Sequence, residues 1–305
     1  MLPPVIVLGC TASGKSDVAM EVASSSATPV HIVAADAMQV YRRMDIGTAK
    51  PTVEDQQRVP HHCIDLVEPT DRFTVAAYLE HAQKSFAEID AIGGRALVVG
   101  GTGLYVSAIV DGLSMPGEWP EIRIELENNP NTAELYGELV SRDPRAAEKM
   151  EPNNRRRIIR ALEVCRGSGT TFSSFGPGLD QFPATDITMI GIRWSREALG
   201  RRIETRVHAM VAAGLVDEVQ SLVAAPGGLS ATAAQALGYK EVIAYLNGEV
   251  TLDEAIEMVV LRTRQFAVRQ ERWFRRDPRI TWIDIDDDAH SAVPKVAPVV
   301  TASLS

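Results

Sequence analysis

The sequence predicts an α/β fold, a P-loop NTPase-like core in which a parallel sheet is flanked by helices, with a mostly helical insertion. Three observations predict it. Gly9-Cys10-Thr11-Ala12-Ser13-Gly14-Lys15-Ser16 has the spacing of a phosphate-binding loop and lies between the apolar run Val5 to Leu8 and a helical stretch from Asp17, the strand-loop-helix setting that such a loop needs. Short apolar runs alternate with amphipathic stretches up to about residue 115 and again from Ile187, the order of a parallel sheet. Between them the alternation lapses into helical stretches broken by Pro116, Gly117, Pro120 and Pro130. This gives a core of residues 1–115 and 188–305 and an insertion of residues 116–187.

The loop carries its chemistry in its backbone. Glycines let it wrap an anion closely, its N–H groups and the helix N-terminus face the phosphates, Lys15 adds a point charge, and the Ser16 hydroxyl can hold Mg2+. A glycine-rich turn that merely opens a helix is the plainer reading, and the flanking strand and the Lys15-Ser16 pair speak against it. Pro29 to Ala35 is the second strand, followed by Asp36-Ala37-Met38-Gln39. Ligands collect at the carboxyl ends of strands in such sheets, so Asp36 shares the crevice of the phosphate loop. Val40 to Thr52 reads as a polar, site-lining loop, and His61-His62-Cys63 as loop residues rather than metal ligands.

Phe73 to Ala91 has helical periodicity, with Asp71 as the expected N-cap and Gly93-Gly94 as the stop. Ala96 to Val99 is a third strand, and its Gly100-Gly101-Thr102-Gly103 end implies close approach of backbone to a partner, with Thr102 a candidate donor to a phosphate oxygen. The insertion holds helical stretches at Ile122 to Leu126, Thr132 to Leu139, Asp143 to Met150 and Arg155 to Cys165. After the strand at Ile187 to Ile192, a helix starts near Ser195 and runs to Gly214, and Val216 to Ala224 forms another. Gln235 and Lys240 flank Gly238. Leu252 to Arg276 reads as one long helix with a packed side and a basic side, Ile280 to Ile283 as the last strand, and His290 to Ser305 as a mobile tail.

Composition narrows the function classes. The chain has 305 residues, enough for a full core, and no run of apolar residues long enough for a membrane span, so a soluble cytoplasmic protein is expected. Three scattered cysteines argue against a disulfide framework or a cysteine-rich zinc site. A net charge of -9 argues against indiscriminate nucleic-acid binding. Two segments run against it: Arg155, Arg156, Arg157, Arg160 and Arg166, and the series from Arg262 to Arg279. A solvated helix face with salt bridges and a nucleic-acid contact both account for such runs.

The assembled set resembles the tRNA dimethylallyltransferases, isopentenyl transferases that prenylate adenine 37 beside the anticodon. The matching stretches are Gly9 to Ser16, Asp36 to Gln39, Tyr41-Arg42, Met44 to Pro51, Gly100 to Tyr105, Asp143-Pro144 through Pro152-Asn153, Arg157 to Glu163, Gly238-Tyr239-Lys240, and Thr263 to Ala267 through Arg269-Gln270 to Arg276. They span nearly the whole chain in the family's order. The resemblance implies a prenyl donor, dimethylallyl diphosphate, with its diphosphate in the loop from Gly9 to Ser16 and a further contact from Gln235. It implies Mg2+ held partly by Ser16, Asp36 as general base and Thr102 on a diphosphate oxygen; a monomer is expected, although the sequence does not itself give the oligomeric state. The expected tRNA contacts are Asp36, Ala37, Met38, Gln39, Thr102, Arg123, Arg156, Arg157, Arg160, Arg264, Gln265, Arg269 and Gln270, with the insertion taking part. Cys10 replaces a usual Pro, Ala37 a usual Ser, Asn154 a usual Asp, and Val268 a common basic residue. Gln235 stands where some members carry Arg, so its contact would be a neutral hydrogen bond.

Three other readings use the same residues. An isopentenyltransferase acting on free adenylate needs neither the insertion nor two arginine helices. A small-molecule kinase would place ATP in the loop and use the insertion as a lid. A non-catalytic RNA-binding regulator would keep its function after loss of Lys15 and Asp36.

Overall fold

Among the described residues, six parallel strands form one sheet: β1 (Val5–Gly9), β2 (Val30–Ala35), β3 (His61–His62), β4 (Arg95–Gly100), β5 (Thr188–Trp194) and β6 (Ile280–Ile285), in the order β3-β2-β4-β1-β5-β6. The computed structural model describes residues 2–113, 115–175, 181–287 and 289–304. The helices up to the end of β4's crossover are α1 (Lys15–Ser25), α2 (Val53–Arg58), α3 (Val75–Ala91) and α4 (Gly103–Asp111). Then come α5 (Pro120–Asn128), α6 (Thr132–Arg142), α7 (Pro144–Glu148) and α8 (Arg155–Ser168). The chain closes with α9 (Arg196–Ala212), α10 (Leu215–Ala224), α11 (Tyr239–Leu246), α12 (Leu252–Phe274) and α13 (Val293–Leu304). Two compact units result, Met1–Val110 with Ala184–Ser305, and Asp111–Pro183.

The uninterrupted apolar strands are covered on both faces because successive side chains point to opposite sides of the sheet. Val5, Val7, Ile32, Leu97, Val99, Ile190 and Ile192 pack on the side of α1 and α13. Ile6, Leu8, Val33, Val98 and Met189 pack on the opposite side, with Tyr78 and Ala82 of α3 and Tyr105 of α4. β1 lies between β4 and β5: from it the chain runs to β2, beyond β4 on one side, while β5 continues to β6 on the opposite side. The crevice expected at such a reversal opens at the carboxyl end of β1, where the phosphate loop begins.

Three local expectations are corrected. The tail from His290 is not mobile: α13 buries Val296, Val300 and Leu304 at four-residue spacing against the core. Valine-rich sequence containing Pro298 has poor helix propensity, and burial of that stripe overrides it. His61-His62 forms the edge strand β3, paired with Ile32 and Val33. Thr74, not Asp71, caps α3 by accepting the Ala77 N–H, while Asp71 closes its own turn on the Glu68 N–H.

In the second unit, α5 to α8 surround Leu126, Leu135, Leu139, Ile158 and Leu162. Asn131, Asp143 and Asn154 cap three of these helices. Glu163 is 1% exposed, accepts the Trp119 N–H at 2.9 Å, and pairs with Arg123 at 3.5 Å and Arg160 at 3.1 Å. Arg155 donates to the Leu126, Glu127 and Asn129 carbonyls, and Arg166 pairs with Glu125 and Glu138. Glu163→Ala would leave the Trp119 N–H without its acceptor and take one partner each from Arg123, which keeps Glu127, and Arg160, which keeps the Pro116 carbonyl; it is expected to lower stability by about 1–3 kcal/mol. Urea unfolding of the variant, followed by circular dichroism, measures this.

Candidate active site

The loop from Gly9 to Ser16 is held from outside through its carbonyls. The Ala12 carbonyl accepts from Arg202 Nε at 2.9 Å and the Ser13 carbonyl from Trp194 Nε1 at 3.0 Å. Arg202 also stacks on Trp194, 4.4 Å from its ring centroid, and donates to the His290 carbonyl at 3.0 Å. Gly14 takes φ 87° immediately before α1, a left-handed turn that glycine enters without steric cost. It starts the helix with its free N–H groups aimed into the crevice.

Lys15 Nζ donates to the Cys10 carbonyl at 2.7 Å. Burial lowers its pKa to about 8, opposed by the electrostatic effect of Cys10 and reinforced by that of Arg206. With that pKa the lysine is still charged at neutral pH, and a bound anion would favour its ammonium form further. Cys10 itself is unreactive: burial pushes its thiol up to about 11, and Sγ donates to the Ala267 carbonyl. Ser16 is exposed on the first turn of α1.

A cavity of about 1020 Å³ joins this loop to Asp36 and Gln39 on one side and to Arg202, Arg206 and Phe266 on the other. Asp36 Oδ1 accepts the N–H groups of Met38 at 2.8 Å and Gln39 at 3.4 Å, which fixes the carboxylate and leaves Oδ2 without a hydrogen-bond partner among the described residues. The turn is held from below, where Thr102 Oγ1 accepts the Ala37 N–H at 3.0 Å. Gln39 Nε2 donates to the Thr48 and Ala49 carbonyls. The rest of that loop is tied by Glu218, which accepts the Asp45, Ile46 and Gly47 N–H groups, and by Lys50, which pairs with Asp45 and Asp65 at 2.6 Å each. The site-lining loop is therefore tied by bonds within the protein itself.

Sequence reasoning missed Arg202 and Arg206. They stand four residues apart on α9 and so share a face, and that spacing after a strand's carboxyl end was the available signal. Arg206 has no hydrogen-bond or ion-pair partner among the described residues. Burial lowers its pKa from the ordinary value, and the carboxylates of Asp36 and Asp17 oppose that shift.

Several expected site residues lie elsewhere or are otherwise engaged. Gln235 is exposed, outside the cavity lining, with Oε1 accepting from Lys240 Nζ at 3.1 Å. Its neighbours Ala233 and Ala236 pack in the cluster around Tyr41 and Tyr239, which holds Gln235 on a turn away from the cavity lining. Thr102 also lies outside the lining, and its oxygen serves the Ala37 amide. Arg123 and Arg160 neutralise the buried Glu163 instead of standing free. Gln270 is 7% exposed, and both ends of its amide bond within the protein, to the Thr11 N–H and the Gly101 carbonyl. Arg264 forms an exposed pair with Glu204 at 2.7 Å. Arg156, Arg157 and Gln265 are exposed without a polar partner among the described residues, and Arg269 lies over Phe266.

The sheet order and the loop define an α/β protein of the phosphate-loop type, with a carboxylate and two arginines sharing its cavity. Comparison with known proteins takes this further. The IPP transferase family model matches residues 39–277, and the Isopentenyl transferase model matches residues 5–65. The tRNA dimethylallyltransferase of Geobacter metallireducens is 45% identical over 286 residues, covering 92% of each chain. That of Kineococcus radiotolerans is 42% identical over 316 residues, covering 99% of this chain and 98% of its own. The crystal structure of the tRNA isopentenylpyrophosphate transferase of Bacillus halodurans aligns with TM-score 0.70 and 36% identity over 100% of this chain and 97% of its own. The chain belongs to the IPP transferase family, whose members are prenyltransferase enzymes. Among the described residues, no single helix is long and apolar enough to cross a membrane.

Proposed function

We propose that this enzyme transfers the dimethylallyl group from dimethylallyl diphosphate to N6 of adenine 37 in tRNA, beside the anticodon. The observation that carries the reading is the single cavity lined by Lys15, Ser16, Arg206 and Asp36. It sets cationic groups for a leaving diphosphate and a free carboxylate oxygen for a departing proton in one space. Relatives named as tRNA dimethylallyltransferases support the choice of substrates.

In the reaction the donor's C–O bond breaks and its electron pair leaves with diphosphate. The loop amides, Lys15 and Arg206 stabilise the negative charge that builds there. N6 forms the new C–N bond to the allylic carbon, and its proton passes to Oδ2 of Asp36, which the Met38 and Gln39 amides hold in position. Thr102 supports that turn through the Ala37 amide. The hard hydroxyl oxygen of Ser16 fits Mg2+ and would be its protein ligand, and no cluster of three metal-binding side chains occurs among the described residues. When bound, the ion supplies further charge neutralisation to the diphosphate.

The adenine must leave its stack to enter the cavity. Phe266, with Arg269 over it, offers a stacking surface at the lining. Arg156, Arg157, Gln265 and Arg269 are the exposed groups available to the RNA, giving affinity and salt dependence through phosphate contacts. Incubation with labelled dimethylallyl diphosphate, Mg2+ and either unmodified tRNA or AMP, followed by nucleoside mass analysis, tests the proposal. Label confined to adenine 37 of tRNA supports it. Label in AMP alone reassigns the enzyme to free nucleotides, and label in neither rejects the donor.

A further inference from the structure

Gln270 occupies an unusual place. It lies on α12, one turn after Phe266 and beside the exposed Arg269, yet its own side chain points inward and is almost fully buried. Its Oε1 accepts the Thr11 N–H of the phosphate loop at 2.9 Å, and its Nε2 donates to the Gly101 carbonyl at 2.9 Å. These two partners fix the orientation of the amide, since only oxygen can face the N–H and only nitrogen the carbonyl. A β-carbon at residue 101 would lie 2.3 Å from Gln270 Nε2, so glycine there is what admits the amide. The neighbouring residue, Thr102, receives the Ala37 N–H and donates its own N–H to the Ala35 carbonyl. A continuous chain of hydrogen bonds thus runs from the phosphate loop through Gln270 and the glycine turn to the backbone on either side of Asp36. Cys10, bonded to the Ala267 carbonyl, is a second tie between the loop and the same turn of α12.

We propose that Gln270 is a positioning residue that sets the phosphate loop and the Asp36 turn at the separation the transfer requires. The inference rests on the reaction proposed above and deepens it. Two separate loops, at the ends of β1 and β2, must present the leaving-group site and the proton acceptor to one substrate pair. No described hydrogen bond joins Thr11 directly to the Asp36 turn; beyond the pairing of β4 with β1 and β2, Gln270 supplies a side-chain link between the two loops through the glycine turn that follows β4. Misplacing such groups by about 1 Å lowers rates by roughly a hundredfold.

The amide requires one acceptor and one donor, and this gives a test that general damage to the fold would not imitate. A carboxylic acid reproduces both functions when protonated and loses the donor when ionised. In Gln270→Glu the ionised carboxylate would face the Gly101 carbonyl oxygen, and burial with that oxygen raises its pKa above the ordinary glutamate range. Activity of Gln270→Glu relative to the unaltered enzyme, measured from about pH 8.5 down to about pH 5.5, is therefore expected to climb at least about tenfold as the side chain takes up its proton. Gln270→Met, of similar size but without either function, is expected to stay roughly a hundredfold down at every pH. Binding of tRNA by gel shift is expected to change less than about twofold in either variant.

Inorganic diphosphate binding, measured by calorimetry without tRNA, provides a readout independent of the proposed acceptor, and Gln270→Met is expected to weaken it about tenfold by loosening the loop. Full activity of Gln270→Met, a pH-independent ratio for Gln270→Glu, or a loss confined to tRNA binding would each overturn the positioning role. Absence of transfer by the unaltered enzyme would reject the proposed reaction instead, and unchanged diphosphate binding in Gln270→Met would then reject the positioning role as well.

Discussion

Asp36→Asn is expected to lower turnover by about 10²–10⁴-fold while tRNA and donor binding stay within a few-fold of the original. The asparagine oxygen can still accept the Met38 and Gln39 amides that hold Asp36 Oδ1, so the turn keeps its shape. What disappears is the second, unengaged oxygen and its capacity to take a proton from N6. Single-turnover rates with saturating substrates, set beside tRNA affinity by gel shift, separate the two effects. Equal loss of rate and binding would make Asp36 a recognition group and remove the proposed base from the mechanism. The loss should not be rescued by more tRNA, because no ground-state contact is removed.

Lys15→Met is expected to cost about 10²–10³-fold in turnover and to weaken diphosphate binding, because the developing negative charge loses its nearest point charge. The unliganded lysine has a pKa of about 8, lowered chiefly by burial. A bound diphosphate favours the ammonium form and raises that pKa again. Below about 8 the lysine is already charged, and donor affinity is insensitive to its titration. Above about 8, binding must take up a proton, so affinity should fall as pH rises, by up to about tenfold per pH unit. Calorimetry with inorganic diphosphate from about pH 7 to about pH 9.5 reads this slope. In Lys15→Met the alkaline slope should flatten, and persistence of the full slope would assign the titration to another group.

The two predictions concern residues that were legible before any coordinates, and the reason is local. Gly9 to Ser16 must be contiguous to wrap an anion, and Asp36 immediately follows an apolar strand, so both signals fit within a few residues of sequence. Apolar runs also identified β1, β2, β4 and β5, because strands buried on both faces carry little polar sequence, and the start of the edge strand β6. The helices of the insertion could be read from their periodicity and breakers, since each buries a stripe against its neighbours.

Pairing between distant residues was not legible. A run of arginines in sequence is a uniform basic signal, yet Arg123 and Arg160 are drawn to the buried Glu163, Arg155 to loop carbonyls, and Arg156 and Arg157 are left exposed. Gln270 looks like an ordinary polar helix residue until its partners, 259 and 169 positions away, are known. Arg206 became a site residue because α9 carries it to a cavity shared with Asp36, and α13 became a helix because the sheet supplied a surface for its valines. The sequence by itself determined the phosphate loop, the carboxylate beside it and the order of strands and helices, all set by short-range pattern and backbone chemistry. Only the tertiary structure decided which charges are spent inside the protein and which face the substrate, because burial and pairing depend on groups brought together across the whole chain.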